Sequence, residues 1–270
     1  MQITRHLPKT DKVSLLAATI LLSYTITRFV DIPSRDLAIQ LPGVYLSYEI
    51  NIRTIVALLI TALTATGADW LLHDHPSLQG KSTFQHWILP ALTAWVIGAP
   101  LYQLPFGPQW WISLGLGGGL LMVVLIAEYI VVDPQDYRHT TASIGLTAVS
   151  FALFFVLTVS IRNSLVRLFL MLPVLTFSIG LVSLRTLYLR IHGNWAVIQA
   201  SIIMLIIGQI AAALHYFPMQ PITFGLVLLG PAYGLTSLMS NWTESKPWRE
   251  VASEPIIVLI IVWGSALLIR

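Results

Sequence analysis

The sequence predicts an all-α fold, a polytopic transmembrane bundle of eight or nine spans with a short extracytoplasmic β-hairpin as its only β candidate. Three observations predict it. Hydrophobic residues make up 56% of the 270 and charged residues only 10%, against about a quarter charged in soluble domains. The apolar residues come in runs long enough to cross a hydrocarbon core, which takes about 20 helical residues. Most connections between the runs are short, so nearly all the mass is expected in the membrane as one integral domain over residues 1–270.

The elements follow in chain order. A basic start (Arg5, Lys9, Lys12) precedes an apolar run at 13–30 with no small-residue cleavage site after it, which reads as a retained first span rather than a removed signal peptide. In the connection 31–51 the apolar residues alternate as Leu37, Ile39, Leu41 and then Val44, Leu46, Tyr48, Ile50 around Pro42-Gly43. Period-two alternation about a turn pair is the mark of a small hairpin with one apolar face. The remaining candidate spans are 52–72, 86–104, 110–132, 140–160, 165–189, 195–214, 220–240 and 255–269. The last two are the weakest, one interrupted by Pro231 and the other short.

Lysine and arginine placement orients the bundle. With a cytoplasmic N-terminus the inner side carries Arg5, Lys9, Lys12, Lys81, Arg138, Arg185, Arg190, Lys246 and Arg249, and the outer side Arg28, Arg35, Arg53, Arg162, Arg167 and Arg270. Every lysine is inside. The C-terminus is then outside, and the expected setting is the cell inner (plasma) membrane.

The stretch "GADWLLHDHP", Gly67–Pro76, is where chemistry is most concentrated. Asp69 lies about 25 Å along a span that starts near Ile52, close to the rim of a core about 30 Å thick. Trp70 beside it and Trp87 beyond it fit an interfacial aromatic belt. His73 stacks one turn below Asp69 on the same helical face, and Pro76 ends the helix. Glu128 and Arg185 sit at similar depth near the inner ends of their spans. Asp69, His73, Glu128 and Arg185 therefore form a candidate polar cluster of the cytoplasmic leaflet.

Intramembrane charges are costly and usually face the protein interior and pair. The cluster has several readings. Arg185 offers planar donors for a lipid phosphate. Asp69 or Glu128 could carry a proton, or Asp69, His73 and Glu128 could hold a divalent metal. The plain alternative is that each residue reaches water or makes one structural pair. The spacing matches no established metal or catalytic motif, so no catalytic, cofactor or metal set is assigned. Arg162, Asn163 and Arg167, at the outer ends of spans five and six, look like outer-leaflet phosphate anchors.

Absences narrow the field. There is no cysteine, hence no disulfide, thiolate nucleophile or Cys-ligated metal. All four lysines lie outside the spans, against a retinal Schiff base in the bundle. No H-E-x-x-H, G-x-S-x-G, Walker A or G-x-G-x-x-G motif occurs. Nothing points to a nucleic-acid partner. Asn241-Trp242-Thr243 fits the glycosylation pattern but falls on the inner side.

Two features bear on partners and transport. Gly115 and Gly119 in "GLGGGL", and Gly230 and Gly234 in span eight, have the small-xxx-small spacing that lets helices approach closely, within the bundle or toward a membrane protein partner or second copy. Pro173 and Pro231 fall mid-span, where broken helices line many transport sites. "LPALT" (Leu89–Thr93) and "LPVLT" (Leu172–Thr176), three spans apart, hint at an inverted repeat. With "GADWLLHDHP" followed by "HWILPALTAWVIG", the chain resembles a family of uncharacterised bacterial multi-span membrane proteins. The resemblance implies a bacterial inner membrane and no particular activity.

The functional expectation is a non-enzymatic accessory or scaffold membrane protein. The alternatives are a small ion- or proton-coupled transporter and a lipid-modifying enzyme with a site in the cytoplasmic leaflet.

Overall fold

All nine apolar runs fold as α-helices, the form in which a backbone meets its hydrogen bonds within one segment. The structure is a computed structural model that describes residues 7–29, 35–41, 44–50, 52–78, 82–191, 195–243 and 248–268, with 35–41, 44–50, 52–53 and 248–251 described by backbone alone. Among these residues the helices are α1 (Thr10–Phe29), α2 (Ile52–Leu72), α3 (Ile88–Gln103), α4 (Pro108–Val131), α5 (His139–Asn163), α6 (Leu168–Arg190), α7 (Val197–His215), α8 (Pro221–Thr243) and α9 (Trp248–Leu268). Strands β1 (Arg35–Leu41) and β2 (Val44–Ile50) pair antiparallel, in a register that sets Leu37 opposite Tyr48, Ile39 opposite Leu46 and Leu41 opposite Val44. Pro42 and Gly43, between them, lie outside the described residues.

Local chemistry explains the boundaries. Asp11 in the first turn of α1 and Arg28 in its last complement the helix dipole. α4 and α8 both start on a proline, whose missing N–H costs nothing at that position. α3 begins at Ile88 rather than 86, because Phe84–His86 forms a 3-10 turn ahead of it. Neither Pro173 nor Pro231 interrupts its helix. At Pro173 the Thr176 hydroxyl donates to the carbonyls of Leu172 and Pro173. α9 begins at Trp248, well before 255, with Pro255 inside it.

Four buried hydroxyls are satisfied within their own helices. Thr64, Thr93, Thr158 and Thr236 each donate to the carbonyl four residues back, so a polar residue sits in an apolar helix without an unmet donor. Six helical segments, Thr54–Leu72, Pro108–Val131, His139–Asn163, Leu168–Arg190, Val197–His215 and Pro221–Thr243, are long and apolar enough to cross a membrane.

The chain divides into two compact units. In the first, His6–Tyr129, α1 buries Val13, Leu16, Ala17, Ile20 and Tyr24, and α2 buries Ala57, Ile60, Thr64, Ala68 and Leu71, each the stripe of one helical face. Gly67 lets α2 approach Leu16 of α1, and Gly117 and Gly118 let α4 approach Ile97 of α3 and Leu21 of α1. The Tyr24 hydroxyl donates to the Ala94 carbonyl.

The second unit runs from Ile130 to the C-terminus. Its core includes Leu153 and Phe154 of α5, Leu175 and Ile179 of α6, Ile203 and Ile207 of α7, and Phe224 and Leu228 of α8. Gly208 admits the Thr176 methyl between α6 and α7, and Gly225 admits Phe155 and Val159 between α5 and α8. The outward faces are as apolar as the core. Ile198, Ile202 and Leu205 on α7, and Ile256, Ile257, Ile260 and Ile261 on α9, are exposed. A surface helix in water carries charge on that side, whereas one in lipid does not.

Candidate functional site

In the first unit the expected residues divide into two small networks. Asp69 lies in the last turn of α2 and is capped by the loop that leads into α3. The Thr83 hydroxyl and the Trp87 indole N–H (3.2 Å) both donate to its Oδ1. His73 Nδ1 lies 3.5 Å from its Oδ2, as the four-residue spacing on one helical face requires. Glu128, on α4, pairs instead with His86, its Oε2 2.8 Å from Nδ1. Glu128 is 1% exposed and His86 5%, so a charge-capable pair is shut away from solvent.

A third network ties the two chain segments next to these residues. Lys12 donates to Asp74 at 2.8 Å, with Lys9 at 3.5 Å, and the Lys12 ammonium sits 4.2 Å from the Trp70 ring centre. The hydrogen bond from Lys12, reinforced by both lysine charges, holds the Asp74 carboxyl below its ordinary range. His75 packs edge-on to Tyr129, ring centres 4.5 Å apart.

Arg185 belongs to the second unit and is fully buried on α6, its guanidinium carbon 5.7 Å from the Tyr188 ring centre. One turn further along, Arg190 donates to Ser237 (3.2 Å) and Tyr233 (3.3 Å) of α8. The Tyr233 hydroxyl in turn donates to Glu254 of α9. Asp136 accepts from the Arg138 side chain at 2.9 Å and also from its backbone N–H. His192 lies outside the described residues, as do Lys81 and Lys246.

Among the described residues no group of three or more His, Asp or Glu side chains is placed to hold a metal ion. The partners of the expected residues were the part hidden in the sequence. Thr83 and His86 carry no signal beyond preceding Trp87, and Tyr233 and Glu254 are ordinary interfacial residues until α8 and α9 pack. The glycine pairs also differ. A side chain at Gly230 or Gly234 would meet Trp263, Val262 or Pro255 of α9, whereas no described residue lies within 4 Å of one at Gly115 or Gly119.

Six long apolar helices among the described residues, with apolar outward faces and polar groups gathered into side-chain networks, suggest a membrane protein. The chain belongs to the DUF5656 family, described as "Protein of unknown function", whose family model matches residues 32–269. No curated protein and no solved structure matches the chain at a significant level.

Proposed function

We propose that this is a non-enzymatic accessory protein of the cell inner membrane, N-terminus cytoplasmic, whose helices work by contact with a partner membrane protein. The observation that carries the reading is the uncovered glycine face of α4. Among the described residues, Gly115 and Gly119 have nothing within 4 Å of where a side chain would start, and Trp111, Ile112, Leu116 and Val123 around them are exposed. Small residues with large neighbours form the close-packing surface that membrane helices use, since lipid offers no hydrophobic drive for association. Asp69, which accepts from Thr83 and Trp87, and Glu128, paired with His86, each have local partners that support a structural role. On this reading the 35–50 hairpin sits on the outer side, where the partner's extramembrane part would meet it.

The partner is a helix of another membrane protein. Purification in mild detergent followed by native mass spectrometry should give a defined complex. The double variant Gly115→Leu, Gly119→Leu should fold normally and lose the partner. A complex that survives the double substitution refutes the reading, and a complex of two identical chains replaces the partner with a second copy.

One observation favours a second reading, a proton-coupled carrier: the buried His86–Glu128 pair is of the kind that relays protons in membrane transporters. Proteoliposomes whose proton flux is unchanged by Glu128→Gln would remove it.

A further inference from the structure

We infer that the second unit holds a binding site for a phosphate-bearing anion, a cavity of about 540 Å³ whose lining includes Arg162, Arg167, His215, Asn163, Leu165 and Met171. It lies where the C-terminal ends of α5 and α7 meet the N-terminal ends of α6 and α8.

Its charge is one-sided. None of residues 137–243 is acidic, so none of the four helices that build this end can neutralise its arginines. Asp136, which precedes α5, is separated from Asn163 by a helix about 36 Å long. At the opposite end Arg138 and Arg190 have carboxylates or hydroxyls of their own, Arg138 with Asp136 and Arg190 with Tyr233, Ser237 and Glu254. Here the counter-charge must come from outside the helices.

The two arginines have different jobs. Arg162 donates to the backbone carbonyls of His215 (2.9 Å) and Phe217 (2.8 Å) and lies 4.9 Å from the Phe224 ring centre. It is a positioning residue, locking the end of α7 to α5 and fixing one positive charge at the mouth. The Arg167 side chain is exposed and makes no hydrogen bond or ion pair with any described residue. It stands at the start of α6, where the helix dipole adds positive potential. His215 supplies a third polar atom, for its Nδ1 is buried without a hydrogen-bond partner.

The turn between α5 and α6 sets the spacing. Leu165 adopts φ 50°, the single left-handed non-glycine residue among those described, a conformation that L-residues other than asparagine and aspartate rarely adopt. That turn brings Arg162 and Arg167 to one cavity. Leu165 is itself 89% exposed, and Phe169, Tyr216 and Phe217 nearby are exposed as well. Aromatic and aliphatic side chains beside arginines are what the headgroup level of a membrane attracts, and a guanidinium matches a phosphate through paired N–H donors. A lipid headgroup and free phosphate share that chemistry.

The test uses the purified full chain in detergent, titrated with dihexanoyl phosphatidylglycerol and read by native mass spectrometry, with inorganic phosphate as competitor. One phosphatidylglycerol per chain is expected, with binding about tenfold weaker for Arg167→Gln, the loss that about 1.4 kcal/mol represents. Arg190→Gln, at the other end of the same unit, should bind as the native protein does. Arg167→Lys keeps the charge without the fork and should fall between, which holds the test if the glutamine variant misfolds. Displacement by inorganic phosphate assigns the site to the free ion and resistance assigns it to the lipid; both sustain an anion site. Binding unaffected at Arg167, or no stoichiometric binding, overturns it.

Discussion

The run Gly115–Gly119 on α4 separates four glycine environments within little more than one helical turn, and alanine at each should report which are crossings. At Gly117 an added Cβ would lie 2.8 Å from Cγ2 and 3.0 Å from Cγ1 of Ile97. Ile97 is buried and β-branched, so its χ1 has little freedom to yield. Overpacking of this sort costs about 1–3 kcal/mol, offset by about 1 kcal/mol of better helix propensity. Gly117→Ala should therefore destabilise by about 0–2 kcal/mol. At Gly118 the clash is nominally closer, 2.6 Å to Cδ1 of Leu21, but that atom ends a flexible side chain that is only partly buried, and the net change should be smaller than at Gly117. Gly115 and Gly119 meet nothing within 4 Å among the described residues, so alanine there should gain up to about 1 kcal/mol of helix propensity. Unfolding of the four variants by denaturant in one detergent, followed by circular dichroism, gives the order. If Gly117→Ala proves as stable as Gly119→Ala, α3 and α4 do not cross as described, and the reasoning about the open face fails with it.

Three further outcomes are expected. His86→Ala should cost about 1.5–3 kcal/mol for a lost bond to a charged group, and a double-mutant cycle with Glu128→Gln should couple by about 1 kcal/mol or more; additive effects would dissolve the pair. Asp74 has its carboxyl held low by Lys12, so its contribution is present at neutral pH and lost as the pH falls below the unfolded value, about 3.9. The stability gap between the native protein and Asp74→Asn should be constant above about pH 5 and close in more acid solution, and a gap that persists at low pH would contradict the pairing. Tyr233→Phe removes the hydroxyl that links Arg190 to Glu254 and should speed hydrogen exchange in α9, whereas unchanged protection would show that α9 is held by its apolar contacts alone.

Helix content was legible because it is a local property. A run of about 20 apolar residues has a backbone that must satisfy itself when water is absent, so the helices of the described residues lie on the apolar runs. Helix ends were less legible where a short-range detail intervenes, as with the 3-10 turn before α3 or Pro255, which lies inside α9. The Asp69–His73 contact could be read from spacing because four residues close one turn. Glu128 could not be matched to His86, 42 positions away, since neither periodicity nor composition ranks one distant histidine above another.

The sequence by itself determined the secondary structure and pointed to lipid as its solvent: mean hydropathy, run length and the scarcity of charge are what helices in lipid require. Tertiary structure alone decided which glycine pair is covered and which has no described neighbour, which carboxylate meets which donor, and that the ends of α5–α8, none of which carries an acid, line one cavity with two arginines. Those are properties of which faces meet. Small-residue spacing is the same whether α9 or nothing lies against it, and only packing supplies the difference.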